Sequence, residues 1–341
     1  MHQPSLHQLL GVARPLRAGG PADGLEVYDA FAGAGGFSCG AVQAGCRVVC
    51  ALDNDPVALQ THARNHPHTE HRCVELPLRA DALPYPTDGR RFHAHFSPPC
   101  QRFSSQNARH RKPGDRAQAE RLVEWSVDTA LASRASSWSL EQVISTHVVA
   151  LLERAKRRYP GRIAYACLDL SELGVPQTRK RLLAGPPALI AHVLRQASRA
   201  KRRCVRDAIA QPRGTHIRST KGWKGQSRDA CGRKVLRKAG WGDNCFPISG
   251  PSPTVLNARG LNWITKPGSY EHRPRLSTAD YASLQTFPPT YKWPEQRALA
   301  QAQIGNAVPP TVAEVVMRGV RALEPSSPSL RRPPPTLRWP S

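Results

Sequence analysis

The stretch Leu25-Glu26-Val27-Tyr28-Asp29-Ala30-Phe31-Ala32-Gly33-Ala34-Gly35-Gly36-Phe37 decides the fold. Residues 25–31 carry the pattern of a buried strand, and residues 32–36 predict a glycine turn. A helix is expected over 37–44, followed by a second strand over 47–52 and a second helix over 57–65. This order predicts a β-α-β unit with glycines at its first turn.

The glycine turn has the composition of a ligand site. Gly33, Gly35 and Gly36 let a ligand approach the backbone closely, and the amides of the following helix favour a negative group such as a carboxylate. Asp53 ends the second strand, where it is placed to accept hydrogen bonds from ribose hydroxyls. Ser38 stands where the dinucleotide pattern GxGxxG needs its third glycine, so a nucleoside with a compact charged tail is favoured over a nicotinamide or flavin. Glycines with a purely structural role are the alternative.

Strands and helices continue to alternate along the chain. Further strands are expected within 72–81 and at 93–96, 137–143, 163–170 and up to 184, with helices over 117–134 and 147–158. Such alternation predicts an α/β fold with a Rossmann-like, doubly wound, mostly parallel sheet covered on both faces.

A second stretch, Phe96-Ser97-Pro98-Pro99-Cys100-Gln101-Arg102-Phe103-Ser104, places one cysteine directly after a proline pair. The prolines fix φ and suppress helix, so the Cys100 thiol is predicted at a rigid corner. If the preceding strand is parallel, this corner lies at the carboxyl edge of the sheet, where open α/β folds bind ligands. The alternative is that Cys100 is a small buried hydrophobic residue.

Two later segments carry charged side chains near predicted strand ends. Glu141 is either a surface residue at an edge or an acceptor that faces a cleft. Gln177, Arg179 and Arg181 alternate, so in an extended segment they project to one side, where two guanidinium groups suit phosphate or a carbonyl oxygen. A solvated basic strand is the alternative for this segment.

Charge and cysteine usage limit the class of protein. Lys and Arg outnumber Asp and Glu by 49 to 25 in 341 residues, a formal net charge of +24, which favours a polyanionic partner such as nucleic acid. Nine cysteines without CxxC spacing argue against a disulfide framework and against a zinc site, so a reduced, intracellular setting and no metal are expected. No apolar run approaches ~18 residues and no signal-peptide pattern is present, which disfavours membrane insertion and secretion.

The composition also divides the chain. We expect a disordered arm at 1–23, a catalytic and cofactor domain at 24–185, a basic lobe at 186–272, a return to the catalytic domain at 273–324 and a disordered tail at 325–341. Between Arg199 and Lys238 there are fourteen Lys or Arg residues and two acidic ones. A lobe of this composition is predicted to face phosphates.

Seven segments occur in an order that is typical of one family. They are Asp29 to Ser38; Asp53 and Asp81; Ser97 to Ser104; Glu141-Gln142-Val143; Gln177-Thr178-Arg179-Lys180-Arg181; Arg275-Leu276-Ser277 through Leu284-Gln285-Thr286-Phe287-Pro288; and Gly305-Asn306-Ala307-Val308-Pro309-Pro310. Together they resemble the motifs of the cytosine carbon-5 DNA methyltransferase family over residues 25–321.

The resemblance implies a DNA (cytosine-5-)-methyltransferase that uses S-adenosylmethionine, binds double-stranded DNA and acts as a monomer inside the cell. Carbon 5 of cytosine is a weak nucleophile, so such an enzyme first adds a thiolate at carbon 6, and Cys100 is the residue implied for that step. Glu141 is implied to protonate or hydrogen-bond ring nitrogen 3. Arg181 and Arg179 are implied to hold the base carbonyl and a neighbouring phosphate.

The same resemblance assigns binding residues. Those for the cofactor are Phe31, Gly33, Gly35, Gly36, Asp53, Asn54, Asp81, Pro98, Asn306 and Val308, and those for DNA are Gln101, Ser104, Gln177 and Thr254. The target base must leave the duplex to reach Cys100. Residues 104–116 are expected to close over it, and the basic lobe is expected to read sequence in the major groove.

Two positions depart from the family pattern. Gln142 stands where the family usually has asparagine, and Asn54 lacks the bulky side chain that often stacks on adenine. A tRNA-directed enzyme is one alternative, although the Cys-Phe-Thr sequence of that branch is absent. A catalytically inactive DNA-binding relative is another. The DNA site, the host and the presence of a cognate restriction endonuclease are left open.

Overall fold

The computed structural model describes residues 25–79, 82–99, 115–219, 227–228, 234–235, 245–257, 260–264 and 274–323. Its larger sheet contains β1 (Glu26–Ala30), β2 (Arg47–Asp53), β3 (Glu70–Cys73), β4 (Phe92–Phe96), β5 (Ser137–Gln142), β6 (Ala164–Asp169) and β7 (Lys180–Gly185). The strand order is β3-β2-β1-β4-β5-β7-β6. β7 is antiparallel to both of its neighbours and the other pairs are parallel, so the predicted mostly parallel α/β sheet is confirmed.

Helices cover both faces of this sheet. The helices that the structure describes are α1 (Gly36–Gln43), α2 (Pro56–Asn65), α3 (Asp115–Ala132), α4 (Thr146–Arg158), α5 (Pro187–Ala197), α6 (Val205–Ala208), α7 (Thr278–Leu284), α8 (Arg297–Asn306) and α9 (Pro310–Leu323). Tyr28 belongs to the core formed with α3 and α4, and Val27 to the core formed with α1, α5 and α9. Successive strand residues point to opposite faces, and every residue of β1 is buried. β1 is therefore an interior strand of a sheet with two cores.

Local capping explains where β2 ends and α2 begins. The Asp55 carboxylate accepts hydrogen bonds from the backbone amides of Val57 and Ala58, and Pro56 occupies the first turn of the helix. Both features are strongly favoured at a helix N-terminus. They place Asp53 at the carboxyl edge of the sheet, next to the turn that follows β1.

A smaller antiparallel sheet follows in the chain. It contains β8 (His216–Ser219), β11 (Cys245–Pro247) and β12 (Leu261–Ile264) in the order β11-β8-β12. In a separate two-stranded sheet, β9 (Ser227–Arg228) pairs with β10 (Lys234–Val235). Ile217 and Trp263 of this sheet share a core with Tyr281 and Leu284 of α7. The lobe thus packs on the segment that returns to the catalytic domain.

The helix α5 packs with the larger sheet although residues 187–197 were expected in the basic lobe. Its Leu189, Ile190 and Val193 belong to the same core as β1, α1 and α9. The change of packing partner therefore falls after Ala197 rather than at 186. The other domain limits stay predictions, and the arm 1–23 and the tail 325–341 lie outside the described residues. Within the described ranges, no helix is both long and apolar enough to cross a membrane.

Candidate active site

The carboxyl edge of the larger sheet gathers the chemically important segments. β1, β2, β4 and β5 all end there, and β7 begins there because it runs in the opposite direction. This edge therefore collects the glycine turn after β1, Asp53 of β2, the proline pair after β4, Glu141 of β5 and Arg181 of β7.

Glu141 and Arg181 form an ion pair at this edge. Arg181 Nε lies 2.8 Å from Glu141 Oε1, and the two side chains are 12% and 10% exposed. Glu141 is paired with Leu183 in the ladder, so Arg181 is its diagonal neighbour on the same face. The geometry of the contact is that of an ion pair rather than a hydrogen bond, and Glu141 Oε1 has no hydrogen-bond partner in the part of the chain that the structure describes. A carboxylate and a guanidinium are thus held side by side with little water.

The proline corner is tied to the end of β5. The Gln142 side chain is fully buried, its Nε2 donates to the Pro98 carbonyl at 2.9 Å, and its Oε1 accepts from the Val143 amide at 2.8 Å. On the other side, Ser97 Oγ donates to the Phe31 carbonyl at 3.1 Å. Pro98 is therefore fixed between the ends of β1 and β5, and Pro99 is exposed.

Four of the predicted site residues cannot be placed. Cys100, Gln101, Ser104 and Asp81 lie outside the described residues. In the sequence, Cys100 follows Pro98 by two positions. Its role stays a prediction from the sequence.

The glycine turn has a shape that only glycine permits. Gly35 has φ 93°, and a Cβ there would lie 2.7 Å from the Tyr291 hydroxyl oxygen. A Cβ on Gly36 would collide with the Val308 carbonyl oxygen, which brings the predicted residue Val308 against the start of α1. Gly33 is different, because a Cβ there would meet no atom within 4 Å. The turn is therefore closed on its inner side and open at Gly33, which leaves room for a ligand.

The Asp53 carboxylate bonds to the glycine turn and can still accept further hydrogen bonds. Its Oδ2 accepts from the Gly33 amide at 2.7 Å, and its Oδ1 accepts from the Asp55 amide at 2.8 Å. Burial raises the pKa of this carboxyl above its usual value, and the two amides oppose that rise. Each carboxylate oxygen accepts more than one hydrogen bond, so ribose hydroxyls are compatible with these contacts. Asn54 beside it is exposed.

Two other predicted cofactor residues have distinct surroundings. Phe31 has φ 63°, a strained conformation for a residue with a side chain, and its ring packs at 6.1 Å from the ring of Trp125. Asn306 is exposed at the end of α8. Strain at Phe31, directly after β1, is typical of a residue whose backbone is held for function.

Tyr291 supports the glycine turn and was not identified from the sequence. Its hydroxyl donates to the Ala34 carbonyl at 2.5 Å, and it lies 3.3 Å from the Gly35 carbonyl oxygen and 3.3 Å from His66 Nε2. The ring packs on Phe287 and belongs to the core of the smaller sheet. No local sequence pattern around Tyr291, which follows α7, indicates a contact with the glycine turn near the start of the chain.

A buried polar chain lies behind the turn. Ser38 Oγ donates to Asp29 Oδ2 at 2.7 Å, His62 Nε2 lies 3.0 Å from Ser38 Oγ, and His71 Nε2 lies 2.8 Å from His62 Nδ1. Because Ser38 has one proton to donate, His62 Nε2 is the donor to it and His71 Nε2 is the donor to His62. Burial raises the pKa of Asp29 to about 7 and lowers the pKa of His62 and of His71.

Arg179 and Gln177 have surroundings that differ from the expected ones. Arg179 is 1% exposed; its Nη1 donates to the Val255 carbonyl at 3.1 Å, and its Nη2 donates to the Gly305 and Ala307 carbonyls at 3.1 and 3.2 Å. Gln177 is also buried, with Nε2 donating to the Leu284 carbonyl at 2.9 Å and Oε1 accepting from the Val255 amide at 3.0 Å.

In the segment 177–181, the side chains of Gln177 and Arg179 point into the interior of the protein rather than into an open cleft. The expected contacts of Arg179 with the base and of Gln177 with DNA stay predictions, and in this structure polar backbone groups of the protein occupy both side chains. Thr254 also bonds within the protein, since its hydroxyl donates to the Thr178 carbonyl. These contacts join the start of β7 to the segment 252–257 and to the end of α8.

The fold and this edge define a class: an α/β methyltransferase with an acid–arginine pair beside a rigid proline corner. The family described as C-5 cytosine-specific DNA methylase matches residues 25–123 and 194–321, and the chain belongs to this family. It is thus a DNA (cytosine-5-)-methyltransferase that uses S-adenosylmethionine.

Relatives match most of the chain. The type II methyltransferase M.HgiDI of Herpetosiphon aurantiacus is 27% identical over 321 residues, which cover 87% of this chain and 94% of that protein. The type II methyltransferase M.HindV of Haemophilus influenzae is 24% identical over 317 residues, which cover 87% and 96%.

Solved structures show the same fold. A putative DNA modification methyltransferase encoded within a prophage (E. coli) aligns with a TM-score of 0.59 and 20% identity over 88% of this chain and 99% of that one. The Dnmt2 methyltransferase of S. pombe aligns with a TM-score of 0.58 and 16% identity over 88% and 98%.

Proposed function

We propose that this methyltransferase acts on cytosine in double-stranded DNA as the modification enzyme of a type II restriction-modification system, with Cys100, Glu141 and Arg181 as its catalytic residues. The Glu141–Arg181 ion pair is the observation that supports this choice of residues. It lies next to the buried hydrogen bond from Gln142 to the Pro98 carbonyl. The relatives that match most of the chain are type II methyltransferases, which supports the biological setting.

Cys100 starts the reaction in this proposal. Its thiolate forms a sulfur–carbon bond at carbon 6 of cytosine. The π electron pair of the 5,6 double bond shifts to carbon 5 and is delocalised toward ring nitrogen 3. A proton or hydrogen bond from Glu141 at ring nitrogen 3 balances the charge that develops there. Carbon 5 becomes nucleophilic as a result.

Arg181 has two tasks. Its guanidinium holds Glu141 in place by the 2.8 Å contact, and its Nη1 donates to the Lys180 carbonyl at 2.8 Å. Its Nη2 is suited to the carbonyl oxygen of the base, which gains negative charge as the thiolate adds. The low exposure of both side chains strengthens these interactions, because water screens them less.

The residues of the turn fit the cofactor. The open side of Gly33 leaves space for the ligand, and the remaining acceptor capacity of Asp53 suits a ribose. S-adenosylmethionine supplies an electrophilic methyl group on a sulfonium, and the electron pair of the broken bond stays on its sulfur. Once carbon 5 carries the methyl group, a base removes the carbon-5 proton, the proton at nitrogen 3 returns to Glu141, and Cys100 leaves with the electron pair of its bond to carbon 6.

Duplex DNA is the proposed substrate because the base must be extruded into this edge and the protein is strongly basic. Extrusion costs a few kcal/mol, which contacts with phosphates and with the displaced strand offset. Arg199 and Lys201 are exposed in the connection between α5 and the smaller sheet. They are proposed to contact phosphates, and the enzyme is proposed to act as an intracellular monomer.

Bisulfite sequencing of DNA from cells that express the protein tests the proposal. We expect protected cytosines within one short recurring sequence, and unprotected cytosines with Cys100→Ser. Protection by Cys100→Ser equal to that of the wild type, or no protection by a folded wild-type enzyme on any sequence, would contradict it. A parallel assay on tRNA with labelled S-adenosylmethionine separates the tRNA-directed alternative.

A further inference from the structure

Gln142 connects the two halves of the proposed catalytic machinery. β5 lies between β4 and β7 in the sheet, and the last two side chains of β5 reach one neighbour each. Glu141 meets Arg181 of β7, while Gln142 turns to the opposite side and holds the Pro98 carbonyl after β4. The Gln142 side chain therefore ties the proline corner to the end of β5, while Ser97 ties it to the end of β1.

An amide is needed at this position because the two contacts have opposite polarity. The Pro98 carbonyl requires a donor at 2.9 Å, and the Val143 amide requires an acceptor at 2.8 Å. The side chain is 0% exposed, so water does not replace either partner if the amide is removed. The family's usual asparagine carries the same groups on a chain shorter by one carbon–carbon bond, about 1.5 Å.

We propose that Gln142 is a positioning residue that fixes the Pro98–Pro99 corner, and with it the origin of Cys100, relative to Glu141. The inference rests on the proposed function, since it assumes that Cys100 and Glu141 act on the same base. It predicts that loss of the tie slows addition of the thiolate to carbon 6 and leaves the binding of duplex DNA unchanged. It also predicts that asparagine, although usual in the family, is a poor substitute in this chain.

Four variants test the role. Q142M keeps the length and loses both hydrogen bonds, Q142N keeps both groups on a shorter chain, and Q142E keeps the acceptor but loses the donor while ionised. Q43A changes an exposed glutamine at the end of α1 and is the matched control. The readouts are the single-turnover rate of methyl transfer, the KM values for duplex DNA and S-adenosylmethionine, and the rate of covalent trapping by duplex DNA that contains 5-fluorocytosine.

We expect Q142M and Q142N to lose about 10- to 100-fold in the rate of trapping and of methyl transfer, because a displacement of about 1 Å at a reacting group costs that much. The KM for duplex DNA should stay within about twofold of the wild type, as expected for an interaction that matters in the chemical step. Q43A should match the wild type in every readout.

Q142E provides a readout that a purely structural role does not move. When protonated, its carboxyl donates to the Pro98 carbonyl and still accepts from the Val143 amide. The ratio of its rate to the wild-type rate should therefore rise as the pH falls. Glu141, Arg181 and Asp53 are the charged groups that the described residues place at this edge, and they are present in both proteins, so the ratio removes their own contribution to the pH profile.

The outcomes separate the inference from the proposed function. A wild-type enzyme that never traps overturns the proposed function. A wild-type enzyme that traps, together with Q142M that traps equally fast, overturns the positioning role alone, as does a Q142E ratio that does not change with pH. If Q142M does not fold, the Q142E profile and the Q142N rates decide the matter.

Discussion

Arg179 and Arg181 are two residues apart in one motif, and their surroundings give them different tasks. Arg179 is buried and donates to three backbone carbonyls from two separate segments. Arg181 lies at the edge of the site against Glu141. The first joins parts of the fold, and the second is proposed to contact the bound base.

Replacement of each arginine by lysine should separate these tasks. R179K removes the fork that reaches several carbonyls at once, so we expect a loss of roughly 2–4 kcal/mol in the free energy of unfolding. R181K keeps a positive charge beside the nearly buried Glu141, so it should lower that free energy by less than R179K does, and it should lower the rate of methyl transfer by about 100-fold. Urea unfolding and single-turnover rates measure the two effects. The opposite pattern, with R179K stable but slow, would return Arg179 to the catalytic group.

At the scale of elements, the turn between β1 and α1 is held by a distant part of the chain. Tyr291, which packs with the core of the smaller sheet, donates to the Ala34 carbonyl inside the turn. The Val308 carbonyl lies against Gly36 on another side. The shape of the glycine turn thus depends on Tyr291 and Val308, which follow the lobe in the chain, as well as on its own glycines.

Y291F should therefore weaken cofactor binding. Loss of one buried hydrogen bond of about 1 kcal/mol corresponds to roughly a fivefold rise in the Kd for S-adenosylmethionine. Y159F is the matched control. Tyr159 directly follows α4, and its hydroxyl donates to Asp128 of α3 rather than to the glycine turn. Calorimetric titration of both variants measures the effect, and equal affinities for Y291F and the wild type would show that the turn holds its shape without the hydroxyl.

Local pattern predicts some elements well and others poorly. The β1–α1–β2–α2 unit follows from contiguous runs, a glycine turn and the capping residues Asp55 and Pro56, all of which act over a few positions. The helix α5 was assigned to the lobe because a basic run follows it, although its apolar residues pack on the larger sheet.

Long-range contacts explain what the sequence left hidden in the site. Gln142 meets Pro98 across 44 residues and Tyr291 meets Ala34 across 257, so neither role has a local pattern. Alternation predicted that Gln177, Arg179 and Arg181 share a side, but a period of two does not reveal which part of that side is buried.

At the scale of the whole molecule, buried histidines make stability depend on pH. His62, His66, His71, His93 and His95 all have a pKa lowered by burial, that of His66 to about 4 and that of His93 to about 3. The unfolded chain binds protons at these imidazoles below about pH 6.5, and the folded protein does not. Asp29, whose pKa burial raises to about 7, and Asp53, whose pKa burial also raises, act in the opposite direction, but they are two groups against five.

We therefore expect the free energy of unfolding to fall as the pH falls from 6.5 to 5, by up to about 1.4 kcal/mol per pH unit for each fully shifted histidine. Urea denaturation at several pH values measures this slope. H93Q should flatten it, and H68Q, at an exposed position, should leave it unchanged. A stability that is constant between pH 8 and 5 would contradict the neutral state of these side chains.

The central claim is that Cys100 attacks carbon 6 of an extruded cytosine at the corner that Gln142 and Pro98 hold. The most direct measurement incubates the enzyme with S-adenosylmethionine and duplex DNA that contains 5-fluorocytosine at its methylation site, and then identifies the cross-linked peptide by mass spectrometry. We predict a covalent complex that forms only with cofactor and wild-type enzyme, is attached through Cys100 and is absent with Cys100→Ser. A complex attached through another residue, or methyl transfer by Cys100→Ser at the wild-type rate, would contradict the account.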